Sequence, residues 1–412
     1  MKLTNRIIAN RLLFSLTVLF LIRVGTFLPV PAVNHNDIAF YIQTHPTARE
    51  VLSTLSSNDI FVLGVFSLNI FPYINATIII QLLTIFSPKL AALQKEGDLA
   101  GKRVITQLTR QISLGLTIVQ GAGISLFLKQ VLYGWNVSLV INIVFWLTAG
   151  AMIVLWLSEL ITERGLGNGS SLLIYANILS NLPNLLKKTI FANNETAIVF
   201  SSLSLMSLIL VSLYGIIFLQ EGIRKVPLLS AKQLTQPSLR NTARDFLYLP
   251  LRFNQAGVLP IILTTGLLVV PNYVINSGIL PWLNFLSTFK FFYWLGYFTL
   301  IILSSLFYSA IVLKPKDLAV QLQKMAVAVP GVRPGLQTVF YLKRLINRLT
   351  VIGATFLAII TVVPNFLESI LNISGLNGLS TTSLLILAGV ILDLNREIKN
   401  IYYSNVYSER YK

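Results

Sequence analysis

Apolar positions along this chain gather into long runs separated by short clusters of charge. Bounded by the nearest charged residues, the runs cover 60–88, 111–128, 130–158, 165–186, 196–220, 253–289, 291–313, 349–367 and 369–392. One more extends from Leu12 to about Val30, interrupted only by Arg23. A helix crossing the hydrocarbon core needs about 20 residues without exposed charge. The pattern therefore predicts an all-α membrane protein with ten transmembrane helices and both termini on one side. Five spans on either side of a break near 187–195 predict two halves in opposite orientation, an arrangement that allows an inverted repeat with a path at the interface. Residues 1–220 hold the first six spans and 221–252 form a basic loop. Residues 253–398 hold spans seven to ten with a second basic loop at 314–348, and 399–412 form a tail. No residue-level self-match accompanies the proposed repeat.

Basic residues resist translocation and so fix the orientation. One side holds Lys2, Arg6 and Arg11, the 89–110 loop, Arg164, the two long basic loops, Arg396 and the tail, 26 Lys and Arg in all. The other side holds Arg49, Lys129, Lys187, Lys188 and Lys290, a total of 5. Both termini and the loops at 221–252 and 314–348 are expected to face the cytosol or its organellar equivalent.

Composition agrees with a membrane solvent. Charged residues make up 11%, against roughly 25% in soluble domains, and the mean hydropathy is +0.73. The net charge of +17 lies between apolar runs, so it reads as loop charge rather than a nucleic-acid face. With no Cys there is no disulfide framework, thiolate metal site or Cys nucleophile. The two His, His35 and His45, share one polar stretch, which removes imidazole chemistry from the membrane. The N-terminal run has a basic start and no small-residue cleavage site, so it reads as a retained first span rather than a signal or transit peptide.

Within the spans, chemistry is sparse. Proton- or sodium-driven carriers bury acidic residues or His. Here Glu159, Glu163, Glu368 and Asp393 lie at span boundaries. Arg23 is the exception, open to two readings: packed against polar groups or snorkelling. Pro72 interrupts the second run, removing a backbone donor. It marks either a proline kink or a short re-entrant piece, roughly 53–69, followed by a true span from Pro72 to about Pro88. Backbone that enters the membrane without crossing it needs protein or a water-filled cavity around it. The pairs Ile174/Ile178 and Ile70/Ile74 have helical spacing, for which core or lipid contact is the default.

Two cytosolic segments stand out. ELITERGLGNG (159–169) is Gly-rich but lacks the Lys of a P-loop, and a tight turn explains it better than nucleotide binding. VPGVRPG (329–335) holds Arg333 between Pro-Gly corners. It either supplies one more topology charge or presents a stiffly mounted guanidinium to partner carboxylates or phosphates.

IFPYINATIIIQLLTIFSPKLAALQKEG (70–97), SELITERGLGNGSSLLIYANI (158–178), LPLRFNQAGVLPIIL (249–263) and VPGVRPGLQT (329–338) closely resemble stretches of the SecY family. These are the central subunits of the bacterial and plastid Sec protein-conducting channel. The resemblance runs in order over essentially the whole chain. It implies two five-helix halves closing like a clamshell around an hourglass pore with a lateral opening to lipid. By motif, the pore ring falls on Ile70, Ile74, Ile174, Ile178, Ile262 and Ile386, and the plug on about Ser53–Leu68. The lateral gate would lie between spans two and three on one side and seven and eight on the other, with Asn75 and Gln120 as polar gate residues. Arg333, Arg240 and Arg244 would serve partner docking.

The same resemblance implies a non-enzymatic subunit without cofactor. Its implied partners are SecE-like and SecG-like small subunits, a SecA-type motor ATPase or the ribosome, precursor proteins bearing signal peptides, and membrane lipid. The plug region, SSNDIFVLGVFSLN (56–69), departs from the Gly-Gly-rich sequence usual in bacterial members. Short lumenal loops, Cys absence and Asn and Ile richness resemble a plastid-encoded, algal-type member of the thylakoid membrane with stromal termini. A bacterial plasma-membrane protein is the alternative. Rival functions are a ten-span secondary transporter of a small solute and a membrane-embedded enzyme.

Overall fold

The computed structural model describes residues 2–31, 33, 63–87, 90, 99–127, 129, 136–191, 207, 210–230, 247–254, 257, 260–261, 263–264, 290–312, 314–371 and 381–410. In chain order its helices are α1 (Lys2–Thr26), α2 (Phe71–Phe86), α3 (Leu99–Phe127), α4 (Val137–Arg164), α5 (Gly169–Phe191) and α6 (Leu210–Glu221). They continue with α7 (Lys290–Val312), α8 (Pro315–Lys324), α9 (Leu336–Leu371) and α10 (Thr381–Arg410). Short strands β1 (Ile223–Pro227), β2 (Leu229–Ser230), β3 (Tyr248–Arg252) and β4 (Val327–Ala328) lie in the two long basic loops. Among the described residues, Arg6–Thr26, Val137–Arg164, Trp294–Lys324 and Leu336–Pro364 are long and apolar enough to cross a membrane.

Apolar runs locate the helices but not their ends. Helix α3 begins at Leu99 and carries Lys102, Arg103 and Arg110 as helix, where a loop over 89–110 was expected. Helix α9 starts at Leu336, well before the run at 349, and α10 continues to Arg410 through the segment expected to be a tail. Charge ends the stretch that tolerates hydrocarbon, but backbone hydrogen bonding continues into water, and Lys, Arg, Glu and Gln are good helix formers.

The chain folds as two compact units, one of residues 1–187 and 390–412 and another of 188–389. In the first unit, α1 packs on α4, α2 on α3, and α3 on α4. Arg110 of α3 grips Glu159 of α4 in a two-point ion pair, with Nε to Oε1 at 2.9 Å and Nη2 to Oε2 at 2.7 Å. Hydrogen bonding to that carboxylate raises the Arg110 pKa above its ordinary value. Arg23 is half-buried with its guanidinium over the Phe27 ring, 5.3 Å from the centroid. Residues 63–69, the described part of the predicted re-entrant piece, form a bridge at Gly64 and turns from Val65 onward rather than helix. They are tied to the exit of α1, where the Val30 N–H donates to the Leu63 carbonyl and the Val65 N–H to that of Leu28. Leu63 and Leu68 then pack with Val30, Val33, Ile143, Leu147 and Ala151 in one apolar cluster.

In the second unit, α7 packs along α9. The buried Ser309 and Thr350 hydroxyls meet at 2.7 Å. Because the Thr350 proton goes to the Ile346 carbonyl, Ser309 is the donor. On the basic side, β1 pairs antiparallel with β3, and β2 with β4. The two loops, far apart in sequence, share one core: Val226 and Leu251 from β1 and β3, Leu228 between β1 and β2, Ala319 and Leu322 from α8, Val329, and Leu342, Ile346 and Leu349 from α9.

Candidate functional site

The head of α2 is built by three adjacent choices. Asn69 adopts a left-handed backbone, φ 48°, a region Asn enters more readily than most residues. Its side-chain oxygen accepts the Ile70 N–H at 2.8 Å. Ile70 is the N-cap and Pro72 falls in the first turn, where a missing N–H costs nothing. Pro72 therefore starts a helix instead of kinking one. The Ile74 N–H returns to the Ile70 carbonyl at 3.1 Å, so the two isoleucines stand one turn apart at the tip of the helix. Both are buried. Behind them the chain passes so near α4 that a Cβ on Gly150 would overlap the Val65 carbonyl.

Ile174 and Ile178 lie on α5, each half-buried, and Ile386 on α10 is half-buried as well. Ile262 lies outside the described residues, as do 53–62 of the predicted plug. Of the gate pair, Asn75 is exposed on α2 and Gln120 is half-buried on α3, and these two helices pack on each other.

On the basic side, Arg333 is exposed. Its flanking Gly331 and Gly335 have φ of 78° and 104°, backbone that favours glycine. The Thr338 hydroxyl donates to the Arg333 carbonyl at 2.9 Å, and Val329 at the loop's start is buried in the shared core. The loop is thus fixed from below while its guanidinium stays in water. Arg240 and Arg244 lie outside the described residues. Reading 221–252 and 314–348 as independent loops missed this core. The signal was present as the period-two recurrence of Leu249, Leu251 and Phe253 in YLPLRF and as the amphipathic PKDLAVQLQK.

The SecY family profile matches residues 64–395. The chain is 51% identical to the "Protein translocase subunit SecY" of Trieres chinensis, covering 98% of this chain and 97% of that protein. It is 40% identical to the protein of the same description from Guillardia theta, covering 97% and 96%. The one from Synechococcus elongatus is 39% identical, covering 97% and 93%. Among solved structures, "The structure of a protein conducting channel" superposes with a TM-score of 0.61 at 17% identity, covering 96% of this chain and 92% of that one. Sec61 in a canine ribosome-channel complex superposes with a TM-score of 0.59 at 16% identity, covering the same shares.

Proposed function

The chain belongs to the SecY family, and from that premise we propose that it works by a ring of isoleucines that seals a protein-conducting pore. It is a multi-pass membrane protein and the channel-forming subunit of a protein translocase. It passes unfolded polypeptides across the membrane and releases apolar segments sideways into lipid. Ten spans in two halves around the pore are part of this reading. The ten-span solute transporter is not favoured, since the relatives are translocase subunits and the structural neighbours are channels.

The head of α2 carries the ring reading: a helix that starts from buried, non-helical backbone with Ile70 and Ile74 at its tip. Ile174, Ile178, Ile262 and Ile386 complete the ring by motif. A narrow ring of branched apolar side chains resists wetting and offers an extended chain no hydrogen bonds to stall on. Asn75 and Gln120 are read as gate residues on the packed pair α2 and α3. Single-channel recording of the reconstituted complex tests the ring. Ile74→Asn, Ile178→Asn, Ile262→Asn and Ile386→Asn should each raise ion leak. Background conductance in all four would remove the ring.

No catalytic group is assigned; energy is read as coming from a SecA-type motor or a translating ribosome docked on Arg333, Arg240 and Arg244. SecE-like and SecG-like small subunits complete the channel, and precursors bearing signal peptides are its cargo. A thylakoid placement is in keeping with relatives from algae and cyanobacteria, and stromal termini are read from the charge asymmetry of the loops.

A further inference from the structure

The Gly-rich segment between α4 and α5 belongs to neither the ring nor the docking loop, yet side-chain oxygens from three places in the chain bond to it. Ser15 of α1 donates to the Arg11 carbonyl at 3.0 Å and accepts the buried Leu166 N–H at 2.9 Å. That second bond joins residues far apart in the chain. A Cβ on Gly165 would collide with the Ser15 hydroxyl, so the glycine is what lets α1 reach the loop. Gly167 has φ +85° and lies under Leu394, leaving no room for a side chain. Thr162, in the last turn of α4, accepts the Gly169 N–H at 2.9 Å while donating to the Ser158 carbonyl. Asn168 caps α5, its side chain accepting both the N–H and the hydroxyl of Ser170.

Every bond here fixes where α5 begins. At a rise of 1.5 Å per residue, Ile174 stands about 9 Å and Ile178 about 15 Å along the axis from Asn168. A helix anchored at one end carries its side chains at fixed heights, so a shift of the anchor becomes the same shift at the ring. We propose that Ser15 and Thr162 are positioning residues for the pore: with the intervening glycine loop they form a clasp that sets the height and rotation of Ile174 and Ile178. The bland alternative, a turn that merely reverses the chain, does not need a hydroxyl from α1. The proposal rests on the ring reading and extends it to residues far from the constriction.

The absence of Cys in this chain gives a direct test, because a single introduced thiol has no competitor within it. In the full reconstituted complex, Ile178→Cys is labelled with a membrane-impermeant maleimide, and Leu336→Cys, exposed at the start of α9 in the second basic loop, serves as reference. Adding Ser15→Ala or Thr162→Val should change the Ile178→Cys labelling rate about tenfold, the factor one lost hydrogen bond gives an equilibrium. The Leu336→Cys rate should move far less. Thr162→Ser, which keeps the hydroxyl, should restore the native rate. In the Cys-free background, Ser15→Ala and Thr162→Val should also raise ion leak. If Ile178→Asn leaks while both clasp variants stay at background and leave labelling unchanged, the ring stands and the clasp is wrong. If Ile178→Asn is silent, the ring itself is wrong, and the clasp as a ring-positioning device is overturned with it.

Discussion

Leu342 offers the sharpest test of the core shared by the two basic loops. Its side chain is fully buried between strands from one loop and a helix from the other. Leu342→Ala removes that side chain's transfer free energy and leaves a cavity, together about 3 kcal/mol within the usual 2–5 for such a change. Arg224 and Lys225 lie in β1, paired with Leu251 and Pro250 of β3, and a protease cuts there only when the ribbon opens. When opening and closing are fast relative to cleavage, the rate follows the open population. A loss of about 3 kcal/mol then raises cleavage at Arg224 and Lys225 on the order of a hundredfold. Trypsin added to proteoliposomes, with fragments timed by mass spectrometry, reads this rate. Leu336→Ala, at a side chain 75% exposed on the same helix, should leave it unchanged. Equal cleavage of β1 in wild type and Leu342→Ala would mean that strand and helix do not share a core.

Protease on the cytosolic or stromal face should cut within 221–252 and 314–348 and spare 31–58 and 277–290; protection of both basic loops would reverse the topology. Arg333→Glu should abolish motor- or ribosome-driven translocation with insertion intact, and Arg333→Lys should impair it by losing the two-point grip of the guanidinium. Lys324→Glu, the same charge change nearby, should be mild, and equal translocation by the two Glu variants would reduce Arg333 to a topology charge. Glu159→Gln should cost about 1 kcal/mol or less, because the Arg110 side chain is half exposed to water. The exchange Arg110→Glu with Glu159→Arg should recover most of the thermal midpoint, and a deeper deficit in the exchange than in Glu159→Gln would show that the site needs more than opposite charge.

Hydropathy carried the fold class because the bilayer imposes one demand, apolar length, that sequence states openly. It could not place helix ends, as α3 and α10 show: Lys102 and Arg396 are tolerated in helix as soon as the helix is in water. Pro72 was legible as a discontinuity, yet its outcome depended on Asn69, whose left-handed backbone and side-chain bond no periodicity reveals. The Ile spacing gained meaning only through motif likeness, since in a chain this apolar such pairs also arise by chance. Ser15 was invisible for another reason. A single hydroxyl in an apolar run reads as helix filler until the fold brings Leu166 beside it.

The shared core also imposes an order on biogenesis. Leu251, the last of the strand residues, is synthesised 91 residues before Leu342, the first of the α9 residues in the core (342 − 251), an interval of about 5–20 s at ordinary elongation rates. Between them the ribosome must also make the apolar run 253–289 and α7. Until α8 and α9 have been made, the β1–β3 ribbon lacks the helices that share its core, and a lone two-stranded ribbon is marginal. On the docking reading, the surface around Arg333 is therefore completed late, after α7 has been made. A chain that stops before α9 lacks the core residues and the Thr338 bond that hold the Arg333 loop.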